Sequence, residues 1–229
     1  MKKVMKAVAA LMLMTTIVCA IGCKKLNGGS GSYNGHDYVD LGLPSGLLWA
    51  TCNVGADTPE GYGDYFAWGE TQPKDVYKQS TYQYYYNFDG IGGFHVNKYN
   101  AGDCLDTLLP EDDAATVNWG AGWRMPTKTE WQELYDNTTV TWTQQNSVYG
   151  RLFTASNGNS LFLPAAGYYS YGSNLKQAGR IGDYWSSSRT EGNNTGAIVF
   201  GFNSVIYGTD LDERPDGHSV RGVLSSRQN

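Results

Sequence analysis

An α+β fold of short irregular strands with two helices is what this sequence predicts, and three observations carry the prediction. The 229 residues include 29 glycines, and 14% of the chain is aromatic. Its apolar residues fall in short runs bounded by Gly, Asn, Asp and Pro, the pattern of short strands joined by tight turns. Two stretches carry helix start signals. The dipeptide Asn157-Gly158, set between two apolar runs, is the strongest hairpin signal, because both residues tolerate the positive φ of a two-residue turn.

The elements follow in chain order. Lys2, Lys3 and Lys6 form a basic n-region, and the apolar stretch 7–21 has signal-peptide length, too short to span a bilayer stably. It ends Ala20-Ile21-Gly22-Cys23. A small residue before a Cys is the bacterial lipobox pattern, in which Cys23 is lipidated and becomes the mature N-terminus; cleavage without a lipid and an uncleaved anchor are the other readings. Residues 1–22 are expected to be a lipoprotein signal peptide, 23–34 the lipid anchor with a flexible Gly/Ser tether, and 35–229 a single domain. Strands are expected at 37–41, 47–53 and 64–68, followed by a long loop excursion over 72–106 that carries Tyr82, Tyr84, Tyr85, Tyr86 and Phe88. A first helix is expected over 111–118, with acids in its first turn where they complement the helix dipole. A second is expected over 127–137. There Thr127 stands three residues ahead of Glu130, the spacing of a capping box, and Trp131, Leu134 and Tyr135 recur on one helical face. Further strands are expected at 140–143, 151–155, 160–163, 184–187, 197–202, 204–207 and 219–224. Trp49, Trp68, Trp119, Trp123 and Trp185 are expected in the core.

The order of several motifs points to a family. These are Gly42-Leu43-Pro44-Ser45-Gly46-Leu47-Leu48-Trp49-Ala50; Gly63-Asp64-Tyr65-Phe66-Ala67-Trp68-Gly69-Glu70; Gly122-Trp123-Arg124-Met125-Pro126-Thr127; Leu163-Pro164-Ala165-Ala166-Gly167-Tyr168; Asp183-Tyr184-Trp185-Ser186-Ser187-Ser188; and the closing Ser219-Val220-Arg221. From residue 36 to 224 this order resembles the Fibrobacter succinogenes major paralogous domain family, abundant in lipoproteins of gut and oral Bacteroidetes. The resemblance implies a C-type-lectin-like fold. That fold is shared with the formylglycine-generating (sulfatase-modifying) enzymes, whose Arg-Leu-Pro-Thr-Glu-x-Glu-Trp run looks like residues 124–131. It is also shared with the variable receptor proteins of diversity-generating retroelements. In those receptors the ligand-contacting residues lie between the Tyr-Trp-Ser-Ser-Ser and Ser-Val-Arg motifs. By position, the resemblance implies ligand contacts at Arg189, Asn193, Asn203, Tyr207, Asp210, Asp212 and Arg214.

Residue chemistry narrows the function classes. The formylglycine-generating enzymes depend on a late cysteine pair, and this chain has no Cys after Cys104. His36, His95 and His218 are widely separated and none stands beside a nucleophile-elbow serine, so no catalytic residue is assigned. Asp210, Asp212, Glu213 and Asp216 cluster with Arg214 among them. They read as a solvated acidic loop; no metal ligand is assigned and no cofactor is expected, although calcium is left open by so many carboxylates. No paired His or Cys-x-x-Cys spacing suggests zinc. Cys52 and Cys104 are the two thiols left in the mature domain, and the expectation is a disulfide between them, with two separate thiols as the alternative. Losing three lysines and no acid with the signal takes the formal charge from −5 to −8, which argues against nucleic acid as a partner. The expected protein is a non-enzymatic, lipid-anchored outer membrane lipoprotein, on the periplasmic or cell-surface face, binding a glycan or protein through loops of its C-terminal half. The rival classes are a structural or adhesive subunit of an envelope or fimbrial assembly and a degenerate formylglycine-generating-type enzyme.

Overall fold

The two ends of the domain meet in one sheet. In the computed structural model, which describes residues 29–87, 93–192 and 195–225, the strands Gly31–Tyr33, His36–Asp40, Leu48–Asn53, Arg221–Leu224 and Trp123–Arg124 lie side by side in that order, all antiparallel. A second five-stranded sheet has the order Tyr207–Glu213, Gly196–Phe202, Gly182–Arg189, His218–Ser219 and Tyr65–Phe66, antiparallel except where Tyr184 pairs parallel with Ser219. Thr138–Gln145, Val148–Ala155 and Ser160–Pro164 form a three-stranded meander. The chain is mostly β with two helices, as the sequence predicts. Residues 1–22, expected to be a signal peptide, and Cys23 lie outside the described residues.

The chain changes sheets at the fully buried Val220, whose carbonyl accepts from the N–H of Val54, so the two sheets share a backbone seam. Two aromatic cores flank it. One gathers Trp68, Trp123 and Trp185 with Tyr77, Tyr82, Tyr84 and Tyr99; the other gathers Trp49, Trp131, Phe153, Tyr184 and Phe200. All five tryptophans expected inside are buried. Arg221 is fully buried too. Its guanidinium donates to Asn53 Oδ1 (2.9 Å), the Ala50 carbonyl (2.9 Å) and the Phe162 carbonyl (3.2 Å), so each nitrogen that entered the core has a partner.

Helix α2, Lys128–Asp136, forms as its sequence signals require. Thr127 Oγ1 accepts from the N–H of Glu130 at 3.3 Å, and Glu130 Oε2 accepts from the N–H of Thr127 at 2.8 Å. Trp131 and Leu134 are fully buried, with the Trp131 ring stacked 4.8 Å from Phe200. The predicted turn at Asn157-Gly158 closes with positive φ at Gly158 (+85°); a second meander turn, which the sequence did not single out, has Asn146 and Ser147 at +47° and +68°.

Five expectations need correction. The first helix is not continuous over 111–118. A 3-10 turn at Pro110–Asp112 precedes α1, Ala114–Trp119, and Asp113 is the N-cap, accepting from the N–H of Thr116 at 3.0 Å. The break follows because Asp113 stays extended to cap, which ends the first turn. The end of the expected tether 23–34 is structured: Asn34-Gly35 turns the strand Gly31–Tyr33 back onto His36–Asp40. The excursion 72–106 is no loose loop. Tyr82 and Tyr84 are buried, and their hydroxyls reach the Trp68 carbonyl and Asp112, so the aromatic run completes the core; Phe88 lies outside the described residues. Residues 204–206 are a turn, and the strand begins at Tyr207. Cys52 and Cys104 are both free thiols. Cys52 sits half-buried on the first sheet, whereas Cys104 is exposed ahead of the Thr107–Ser188 bridge at the second, so the fold gives them different surroundings.

Candidate functional site

Strand register decides which C-terminal side chains share a face. Residues paired directly across a sheet point the same way. Asp183 pairs with Gly201, which pairs with Gly208; Trp185 pairs with Val199, which pairs with Asp210; Ala197 pairs with Asp212. Asp183, Asp210 and Asp212 therefore stand on one face of the second sheet. The opposite face carries Tyr184 and Phe200, which pack on α2 through Trp131. Parallel pairing of Ser219 with Tyr184 puts His218 on the acidic face as well, where its ring meets Trp185 edge-on at 4.3 Å. A Cβ at Gly201 would come within 2.9 Å of Asp183 Oδ1, so a larger residue there would push that carboxylate aside.

This face opens into a cavity of about 620 Å³. Asp183, Asp210, Asp212 and Asp216 line it, with Tyr168 and Tyr171 among the other walls; Tyr207 borders it at the strand edge, but its pairing with Phe202 turns its ring to the opposite face, 5.9 Å from Tyr135. None of the described lining residues is basic. Tyr171 is 70% exposed and donates from its hydroxyl to Glu213 Oε2 at 2.6 Å. Exposed Val205, Ile206 and Leu211 give the edge an apolar character beside the acids.

The electrostatics follow from crowding. Burial pushes the Asp183 carboxyl up to about 6, against the pull of His218 and with the repulsion of Asp212 and Asp210. Asp216 is likewise pushed up to about 6 by burial and the neighbouring Asp212. For Asp212 burial acts upward, but the contact with His218 wins and holds its pKa below the ordinary value. Burial alone would lower His218; Asp212, Asp183 and Asp216 raise it above the ordinary imidazole value. His218 is fully buried, with Nε2 3.1 Å from Asp212 Oδ2, yet neither ring nitrogen meets hydrogen-bond geometry with any described group. The attraction is therefore one of charge and proximity rather than an aligned hydrogen bond.

The seven residues expected at a ligand face separate into three groups. Asn203, Asp210 and Asp212 line the cavity, and Tyr207 borders it with its ring on the opposite face of the strand. Asn203 also builds its turn, accepting at Oδ1 from the N–H groups of Val205 (2.7 Å) and Ile206 (3.0 Å), and Arg151 stacks on the Tyr207 ring at 4.8 Å. Arg189 stands elsewhere, paired to Asp106 at 2.8 Å, and Asn193 lies outside the described residues. Arg214 is a correction. It is fully buried, donating to the carbonyls of Gly196 (2.9 Å) and Tyr99 (3.0 Å) with its guanidinium 4.7 Å from the Trp68 ring, so it has no surface to offer a ligand. Asp210 and Asp212 also stand on a strand, not in a polar loop. Sequence reasoning missed Asp183 and His218. The alternation Asp210-x-Asp212 was a usable signal for one face; nothing local ties His218 to it.

No protein-family model, curated protein or solved structure matches this chain.

Proposed function

We propose that this chain is a non-enzymatic binding protein of C-type-lectin-like architecture, anchored by lipid at Cys23 to the outer membrane, whose cavity on the second sheet takes a hydroxyl-rich ligand such as a glycan. One observation carries the reading: a single cavity joins Asn203, Asp210 and Asp212 to exposed Tyr171, with no basic residue among its described lining. Carboxylates accept hydrogen bonds from sugar hydroxyls, and tyrosine presents a flat apolar ring at low entropic cost. A volume near 620 Å³ suits a small saccharide or the tip of a longer chain. Such a rigid strand scaffold with side chains aimed into one hollow gives binding without a reaction step.

The test is a glycan and protein array followed by titration of each hit, using the Cys23→Ala form, which should stay in the aqueous phase on detergent partition. Replacing Tyr171 and Asp210 together by Ala should weaken a hit by roughly tenfold or more, as loss of central contacts does, with thermal stability nearly unchanged because Tyr171 is 70% exposed. Full affinity in that double variant, or no saturable hit in either array, would overturn the reading.

A further inference from the structure

We propose that Asp183, Asp212 and His218 form a divalent transition-metal site at the floor of the cavity, with zinc as the ion that fits best. The inference stands apart from the glycan reading, because it rests on three side chains and needs no organic ligand.

The first support is geometry. One ligand atom from each of the three residues lies within 4.8 Å of the other two, and the His218–Asp212 edge is already 3.1 Å. Around a tetrahedral zinc with bonds near 2.1 Å, neighbouring ligand atoms stand about 3.4 Å apart. The 4.8 Å limit exceeds that spacing by little over 1 Å, within the reach of side-chain adjustment that the proposal requires. They come from three different strands, Gly182–Arg189, Tyr207–Glu213 and His218–Ser219, so the sheet itself fixes their relative positions.

The second support is independent of the carboxylates. His218 is fully buried; its Nδ1 has no hydrogen-bond partner among the described residues, and its Nε2 meets only the Asp212 carboxylate, at 3.1 Å. Buried polar groups are normally satisfied, and an orphan calls for an unplaced partner such as an ion. Its sheet register and its approach to Asp212 aim it at the acidic cluster, and the edge-on Trp185 ring holds it there. The local charge agrees: Asp183, Asp212 and Asp216 face this one imidazole, and none of the described residues lining the cavity is basic. A dication offsets that excess.

The donor set selects the ion. One imidazole nitrogen with two carboxylate oxygens is a mixed set, suited to zinc or its first-row neighbours; calcium takes six to eight oxygens and does not use imidazole. Three protein ligands leave a coordination position free. Asp183 and Asp212 line the cavity while His218 lies behind them, so the free position faces the cavity. A water or a ligand oxygen can occupy it.

The experiment is calorimetric titration of chelator-stripped Cys23→Ala protein with ZnCl2, MnCl2 and CaCl2. One zinc per chain should bind, more tightly than manganese and far more tightly than calcium. Asp183→Asn and Asp212→Asn should each weaken zinc by at least about tenfold. His218→Gln should do the same; because that residue is in the core, its folding is checked by circular dichroism, and the two Asp variants decide the matter if it fails to fold. Bound Co(II) should show the visible bands of a low-coordinate site and quench Trp185. Absence of stoichiometric zinc binding, zinc affinity unchanged in both Asp variants, or calcium preferred over zinc at these residues would overturn the proposal. Array binding of a glycan with no metal requirement leaves the ligand reading standing while this titration decides the site.

Discussion

Arg214 lies within an acidic run, beside Glu213 and near Asp212 and Asp216, and it makes no ion pair with them. Its guanidinium instead closes the carbonyls of Gly196 and Tyr99 and covers the Trp68 ring. Each of those carbonyls would be left buried and unpaired by truncation, at about 1–3 kcal/mol apiece, and the ring contact would go with them. Arg214→Ala should therefore cost roughly 3 kcal/mol or more by urea denaturation. Arg214→Lys should recover little of it, because one ammonium cannot span two fixed acceptors and stack on a ring. A stable Arg214→Ala protein with impaired ligand binding would return the residue to the surface. The neighbouring acids made it read as exposed, and only the depth of its strand end shows otherwise.

At the scale of elements, α2 is held by local chemistry that the sequence announces. Arg124 Nη1 and Nη2 add a bidentate pair to Glu130, at 2.7 and 2.6 Å, on top of the capping box. For Arg124 these hydrogen bonds outweigh burial and raise its pKa; for Glu130 burial is outweighed by the same bonds and by the N–H of Thr127, and its pKa is lowered. Glu130→Ala removes cap and pair together and should cost roughly 2–3 kcal/mol. Trp131→Ala, which opens a hole between Trp49 and Phe200, should cost roughly 3–5 kcal/mol. Thermal and urea unfolding measure both. The helix was legible because a cap and an i, i+3, i+4 stripe are written within one decade of residues. The excursion over 72–106 was not. Its tyrosines look like a surface cluster until Asp112 is seen accepting from Tyr84, Tyr99 and Lys98 across sequence gaps that no local pattern encodes.

At the scale of the molecule, buried carboxylates of two kinds set the response to acid. Asp112 and Glu130 have lowered pKa values. For Asp112 burial acts upward, but Lys98 and the hydroxyls of Tyr84 and Tyr99 prevail. Their stabilisation is complete above the unfolded values of 3.8 and 4.5 and is lost as pH falls through the lower folded values. Asp183 and Asp216, raised to about 6, act in the opposite sense: they ionise reluctantly in the fold, so stability gains as pH falls from above 6 towards 4. His218, raised, adds stability that is present below 6.5 and lost as pH rises through its folded value. Metal-free protein should thus be most resistant to urea at a mildly acidic pH near 5, less so at 8, and should unfold steeply below 4. Asp112→Asn should be destabilised at pH 7 and show a shallower acid limb. A midpoint that rises steadily from pH 5 to 8 would contradict these assignments.

By itself the sequence determined the mixed β-rich class, α2 with its capping box, the Asn157-Gly158 hairpin and the buried tryptophans. Each of these is encoded by residues a few positions apart, where backbone sterics, caps and periodicity act directly. The Asn34-Gly35 turn was equally legible and was absorbed into the tether because Gly and Ser precede it. Part of the candidate site was legible in the same way, as the alternation Asp210-x-Asp212. Only the tertiary structure decided that Asp183 and His218, 35 residues apart, meet those acids on one face, that Arg214 turns inward, and that Cys52 and Cys104 are free thiols. Strand order and register settle such meetings. They depend on how two sheets share Val220 and on which face buries Phe200 against Trp131, and that choice is made by the packing of the whole core.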